Sequence, residues 1–84
     1  MLLDEGNRFY QKKEYGKALG YFEKVLQIDT NNVQAYIGKG NCLRQQEQYN
    51  PAIEVYQQAL RLDPHRESAQ RGKSLTLGRL GRPS

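Results

Sequence analysis

The chain has 84 residues, 37% of them hydrophobic, with one cysteine, no tryptophan and a formal charge of +4. That length makes one domain, and a chain so short buries a smaller share of its surface than a typical domain does. The single cysteine excludes an internal disulfide, no apolar run reaches the length of a membrane span, and Met1-Leu2-Leu3-Asp4 lacks the basic and apolar regions of a secretory leader. These features lead us to expect a cytoplasmic protein with no membrane partner.

The charge is unevenly placed. Through residue 65, eight basic residues stand against eight acidic ones. The whole excess comes from Arg66, Arg71, Lys73, Arg79 and Arg82, less Glu67. The basic character therefore describes the C-terminal segment and not the rest of the chain.

Taken in order, the first apolar pattern predicts a helix over residues 3–12. A second helix starts after Tyr15-Gly16, with Gly16 as its N-cap, and runs to about Ile28; Ala18, Leu19, Phe22, Val25, Leu26 and Ile28 hold the three-and-four spacing of one face. Asp29-Thr30-Asn31-Asn32 is rich in capping residues and marks a stop and restart. The third helix covers 33–45. Asn50 caps the fourth, with Pro51 in its first turn, where a missing N–H costs nothing. Ala52, Ile53, Tyr56, Ala59, Leu60 and Leu62 form its expected buried stripe, and Asp63-Pro64 ends it. Residues 67–80 read as a capping helix, against which Gly72, Gly78 and Gly81 all count, and the last residues read as frayed.

Two of these helix pairs are one pattern written twice. Moved back by 34 residues, Gly40 falls on Gly6, Asn41 on Asn7, Tyr49 on Tyr15, Ala52 on Ala18, Tyr56 on Phe22, Leu60 on Leu26, Leu62 on Ile28 and Asp63 on Asp29. A fixed period of this size marks a repeat architecture. Glycine inside a helix costs up to about 1 kcal/mol relative to alanine. Gly6 and Gly40, recurring at one slot, therefore signal a backbone approached too closely for a side chain.

The second copy, with Tyr36, Gly40, Leu43, Tyr49, Ala52, Tyr56, Ala59 and Pro64, resembles the tetratricopeptide repeat. The first copy fills the same slots with Leu2, Gly6, Phe9, Tyr15, Ala18, Phe22, Val25 and Thr30. It departs at the proline slot (Thr30), and both copies depart at the leucine slot before glycine (Glu5, Lys39). The resemblance implies an all-α, right-handed α-solenoid of two antiparallel helix hairpins plus a C-terminal capping helix. The units are 1–32, 33–66 and 67–81, followed by a tail at 82–84.

A catalytic set is not visible. His65 follows Asp63-Pro64 in a turn, Cys42 sits in an apolar pattern, and no metal-ligand spacing or phosphate loop occurs. We therefore expect no enzyme, no cofactor and no metal. What remains is a surface. In a stack of helix pairs the first helices line the concave side, where extended partners bind.

If the resemblance holds, that side offers Leu3, Asn7, Tyr10 and Gln11 from the first copy, and Gln34, Ile37, Asn41, Arg44 and Gln45 from the second. The third wall adds Ser68 and Arg71. An asparagine both donates and accepts, so it suits a peptide backbone of any sequence. Arg44 and Arg71 would favour an acidic ligand. Some relatives clamp the C-terminal carboxylate of heat-shock chaperones. Here Asn7 matches that clamp but Leu3 and Gly38 do not, so that ligand is not expected.

The expected function is a protein-interaction module holding a peptide in the groove. Two alternatives stay open. The chain could be a piece of a longer array, or associate with copies of itself through exposed repeat ends, because two repeats fall short of the roughly three such stacks need. The basic C-terminal segment could meet nucleic acid, although the interleaved aromatics of a single-strand binder are absent from it.

Overall fold

The computed structural model describes residues 1–81; the expected tail at 82–84 lies outside the described residues. Among the described residues five helices follow one another: α1 (Leu2–Gln11), α2 (Tyr15–Ile28), α3 (Val33–Gln45), α4 (Tyr49–Leu62) and α5 (Glu67–Leu80). Each packs on the next, and α3 also touches α1 and α5, so the chain is an all-α solenoid of stacked hairpins. The body measures 37 × 26 × 17 Å, a thin slab that matches the modest apolar content.

The turn inside each hairpin is the same turn used twice. Glu14 N–H bonds Phe9 O at 2.9 Å and Lys13 N–H bonds Tyr10 O at 2.9 Å; Gln48 to Leu43 (2.8 Å) and Glu47 to Arg44 (3.0 Å) repeat the pair. This is the Schellman ending of a helix, whose left-handed residue is usually glycine. Here Lys13 (φ 64°) and Glu47 (φ 63°) take that conformation instead. The next helix then starts at once. Gly16 and Asn50 are therefore not caps: they lie inside α2 and α4, whose N-cap positions are Glu14 and Gln48. Pro51 still falls in the first turn of α4, as its missing N–H requires. By contrast α3 is capped as its sequence indicates, with Asn32 Oδ1 accepting from Ala35 N–H at 2.9 Å.

The core is a row of small clusters at the helix junctions. Ala18, Phe22 and Cys42 are buried together, as are Leu43, Ala52, Val55 and Tyr56, and then Ile37, Ala59 and Ala69. Two rings organise the row. A Cβ on Gly6 would stand 2.8 Å from the Phe22 ring, and one on Gly38 2.5 Å from it. Likewise a Cβ on Gly40 would stand 2.7 Å from the Tyr56 ring, and one on Gly72 2.4 Å from it. The Phe22 and Tyr56 rings are thus each seated between two bare stretches of backbone. Gly72 does not count against α5; it is what lets α5 close over Tyr56. Gly81 (φ 73°) ends α5 as its left-handed C-cap, and of the three glycines only Gly78 faces open space in mid-helix.

The two polar residues in the leucine slots find partners at the edge of the stack. Lys39 Nζ lies 3.7 Å from Glu23 and Glu5 lies 3.1 Å from Arg8.

Candidate peptide groove

The helices α1, α3 and α5 share one side of the slab, and a recess of about 270 Å³ opens there. It is lined by Asn7, Gln34, Ile37, Gly38, Asn41, Arg66 and Ser68. Four of the expected site residues, Asn7, Gln34, Ile37 and Asn41, are thus brought together, with Ser68 from the third wall. Asn7, Gln34 and Ser68 are exposed, whereas Ile37 is mostly core, with 7% of its surface reachable.

The remaining expected residues stand elsewhere. Tyr10 and Gln45 meet each other, the Gln45 amide donating to the Tyr10 hydroxyl at 3.3 Å, which ties α1 to α3. Arg44 is half-buried; its Nε donates to the Tyr56 hydroxyl at 3.3 Å and its Nη2 to Asn41 Oδ1 at 3.3 Å. Leu3 packs on the Ala18–Phe22–Cys42 cluster and lines a different recess at the end of the first hairpin. Gln11 and Arg71 are exposed and line neither recess.

Two lining residues were not among those expected. Gly38 forms the floor, where the absence of a side chain makes room for the Phe22 ring beneath. Arg66 stands at the N-cap position of α5, the slot that Asn32 fills before α3. Its Nε reaches Asp63 Oδ2 at 2.9 Å, and that hydrogen bond holds the Asp63 carboxyl below its usual range. The repeat offset from Asn32 to Arg66 is the signal that could have placed it.

The polar network behind the recess is closed. The Tyr56 hydroxyl donates to Asn41 Oδ1 while it accepts from Arg44. Burial pushes the Tyr56 phenol up against the opposing pull of Arg44. Burial works to lower the Arg44 guanidinium, and the Tyr56 and Tyr10 hydroxyls together more than offset that, so it stands above its ordinary value. Cys42 is fully buried, and desolvation pushes its thiol up to about 12. It therefore holds almost no thiolate at neutral pH and is a packing residue. Among the described residues no three His, Cys, Asp or Glu side chains gather as metal ligands, and no helix is long and apolar enough to cross a membrane.

Comparison with known proteins agrees with this architecture. The family described as tetratricopeptide repeat matches residues 33–66. No curated protein matches the sequence. Among solved structures, the chain is similar to the type III secretion translocator chaperone SycD of Yersinia enterocolitica, with a TM-score of 0.91 at 22% identity, over 95% of this chain and 61% of that one. It is also similar to a mutant of MamA, with a TM-score of 0.85 at 22% identity, over 96% of this chain and 44% of that one. The chain thus spans less than two thirds of either protein, and at this identity the likeness concerns the fold.

Proposed function

We propose that the chain, whose residues 33–66 match the tetratricopeptide repeat family, is a protein-interaction module whose recess holds an extended segment of a partner and performs no reaction. The observation that carries this reading is the convergence of Asn7, Gln34, Asn41 and Ser68 from three successive first helices on one recess. Their amides and hydroxyl match the alternating donors and acceptors of a peptide backbone. Of the basic residues expected on this side, neither Arg44 nor Arg71 lines the recess; Arg66 does, and Asp63 already neutralises it. Recognition then rests on hydrogen bonding more than on charge, and preference for acidic ligands is weak. Likeness to a chaperone for a secreted translocator fits a role in holding another protein's segment.

The test is titration calorimetry with a random octapeptide library against the wild type and the triple variant Asn7→Ala, Gln34→Ala, Ser68→Ala. All three side chains are exposed, so the variant keeps its melting temperature. Peptides selected by the wild type should lose about tenfold or more in affinity, as expected for several lost hydrogen bonds of about 1 kcal/mol each. Unchanged binding would refute the groove.

One observation favours self-association as a second reading. Met1 and Ile28 are 94% and 78% exposed, and with Leu2, Leu3 and Val25 they surround a recess of about 370 Å³ at the end of the first hairpin. Pairing of copies there predicts that melting depends on concentration. A melting temperature constant over about a hundredfold dilution would exclude it.

A further inference from the structure

The two asparagines of the recess occupy one slot of the repeat, yet they are held differently. Behind Asn41 stand Arg44 and Tyr56, both bonded to its Oδ1. Behind Asn7 the corresponding residues are Tyr10 and Phe22. Phe22 has no hydroxyl, and the hydroxyl of Tyr10 is engaged by Gln45.

The orientation of the Asn41 amide follows from chemistry. A guanidinium carries donors and no acceptor, so the amide atom facing it is the oxygen. The Tyr56 hydroxyl accepts from Arg44 Nε, which directs its own proton to that same oxygen. The ring that bears this hydroxyl cannot wander, because the backbone at Gly40 lies against one side of it and the backbone at Gly72 against the other. Asn41 Oδ1 therefore has two donors on it, and the Nδ2 end of the amide, which takes no part in these bonds, is what Asn41 brings to the recess it lines.

We propose that Tyr56, together with Arg44, is a latch that sets the polarity of the groove: the pair fixes Asn41 as a donor-only contact for a ligand carbonyl or carboxylate oxygen, while Asn7 remains free both to donate and to accept. This rests on the peptide-groove reading above and names the ligand group that meets the second repeat. A side chain pinned in advance loses less freedom on binding than a loose one. The same residue type thus reads the ligand strictly at Asn41 and permissively at Asn7. The Ser68 hydroxyl also lines the recess and can donate to a ligand oxygen there. The acceptor has two sources, an internal backbone carbonyl or a C-terminal carboxylate.

The test uses the full chain and the variant Tyr56→Phe, which removes only the hydroxyl. Phe22 fills the matching slot of the first repeat, so the variant folds, and a melt verifies it. In a second variant Tyr56→Phe is joined to Arg44→Met, which removes both donors from Asn41. The first measurement needs no ligand. Side-chain 15N relaxation in the wild type should show the Asn41 amide as rigid as the helix backbone and the Asn7 amide mobile, with Asn41 loosening in Tyr56→Phe and matching Asn7 in the double variant. Equal mobility of the two amides in the wild type overturns the latch.

The second measurement takes the tightest C-amidated octapeptide from a random library and scans its backbone, replacing each peptide bond by an ester, which lacks the N–H, and by an alkene, which lacks the N–H and the carbonyl together, so that the difference reads the carbonyl. The position facing Asn41 is the one whose replacement is silent in Asn41→Ala. There the wild type should lose about fivefold to tenfold without the carbonyl and less than about twofold without the N–H, the scale of one hydrogen bond. The double variant Tyr56→Phe, Arg44→Met, which takes both donors off Asn41 Oδ1, should bring the two losses together. Equal losses in the wild type overturn the proposal. Binding of the free-acid peptide about tenfold or more tighter than the amide, lost in Asn41→Ala, identifies the acceptor as the terminal carboxylate. If no peptide binds either protein, the groove reading fails on its own, and the relaxation measurement still decides the latch.

Discussion

Replacing Gly72 by alanine separates two opposing effects that the structure places at one residue. Alanine is favoured over glycine in mid-helix by about 1 kcal/mol. Against that gain, the new Cβ would lie 2.4 Å from Tyr56 Cε1, 2.5 Å from Cζ and 2.8 Å from the hydroxyl oxygen, where ordinary contact begins at 3.4 Å. The ring must retreat by about 1 Å, but Gly40 closes the other side so tightly that a Cβ there would already fall at 2.7 Å. Retreat also strains the Tyr56 bonds to Asn41 and Arg44. Overpacking of a core typically costs 1–3 kcal/mol, and with no direction of relief the upper end applies. The net loss is about 2 kcal/mol, or about 8–16 °C of melting temperature for a domain of this size. Gly78→Ala is the control, since a Cβ there meets nothing within 4 Å; it should raise stability by about 0.4–1 kcal/mol. Far-UV circular dichroism melts of both variants, at one protein concentration, give the comparison. In a Tyr56→Leu background the Gly72→Ala loss should shrink by about 1 kcal/mol or more, because the two residues are in contact. A Gly72→Ala protein that melts at or above the wild type would refute the ring-between-backbones account.

The turn residue Glu47 sits at φ 63°, where a non-glycine residue is strained by roughly 1–2 kcal/mol and glycine forgoes about half of the gain through its entropy; Glu47→Gly should stabilise by about 0.5–1 kcal/mol in urea unfolding. Asn32→Ala removes the one side-chain cap on α3 and should cost about 1 kcal/mol in the same assay. Cys42 gives a pH dependence. Its folded value of about 12 lies above the ordinary 9.0, so its contribution is fully present below about 9 and is lost as pH rises toward 12. The advantage of the wild type over Cys42→Ala should therefore shrink with rising pH in that window, by up to about 1.4 kcal/mol per unit; a constant difference would show that the thiol is not desolvated.

The sequence made the repeat, the hairpins and the bounds of α3 and α5 legible, because glycine spacing and capping residues are local signals. It did not show where α2 and α4 begin. Gly16 and Asn50-Pro51 are plausible starts, but the Schellman turns at Lys13 and Glu47 contain no glycine to announce them. Gly72 was misjudged for a different reason. Taken alone it is a helix breaker, and only its 34-residue match to Gly38, with Phe22 and Tyr56 as the matching rings, reveals a packing role. At the recess, the asparagines were visible as a periodic pair, whereas the engagement of Arg44 depends on a hydroxyl from α4 that no spacing along α3 discloses. Arg66 was read as part of a basic tail, because its position at a helix start is evident only beside Asn32.

The third helix carries both Gly38 and Gly40, one beneath each ring. A peptide of 13 residues with two such interruptions has no persistence as a free helix in water. The segment most firmly gripped in the finished molecule is therefore among the least able to assemble first. Its order comes from packing against the helices that flank it and not from its own persistence.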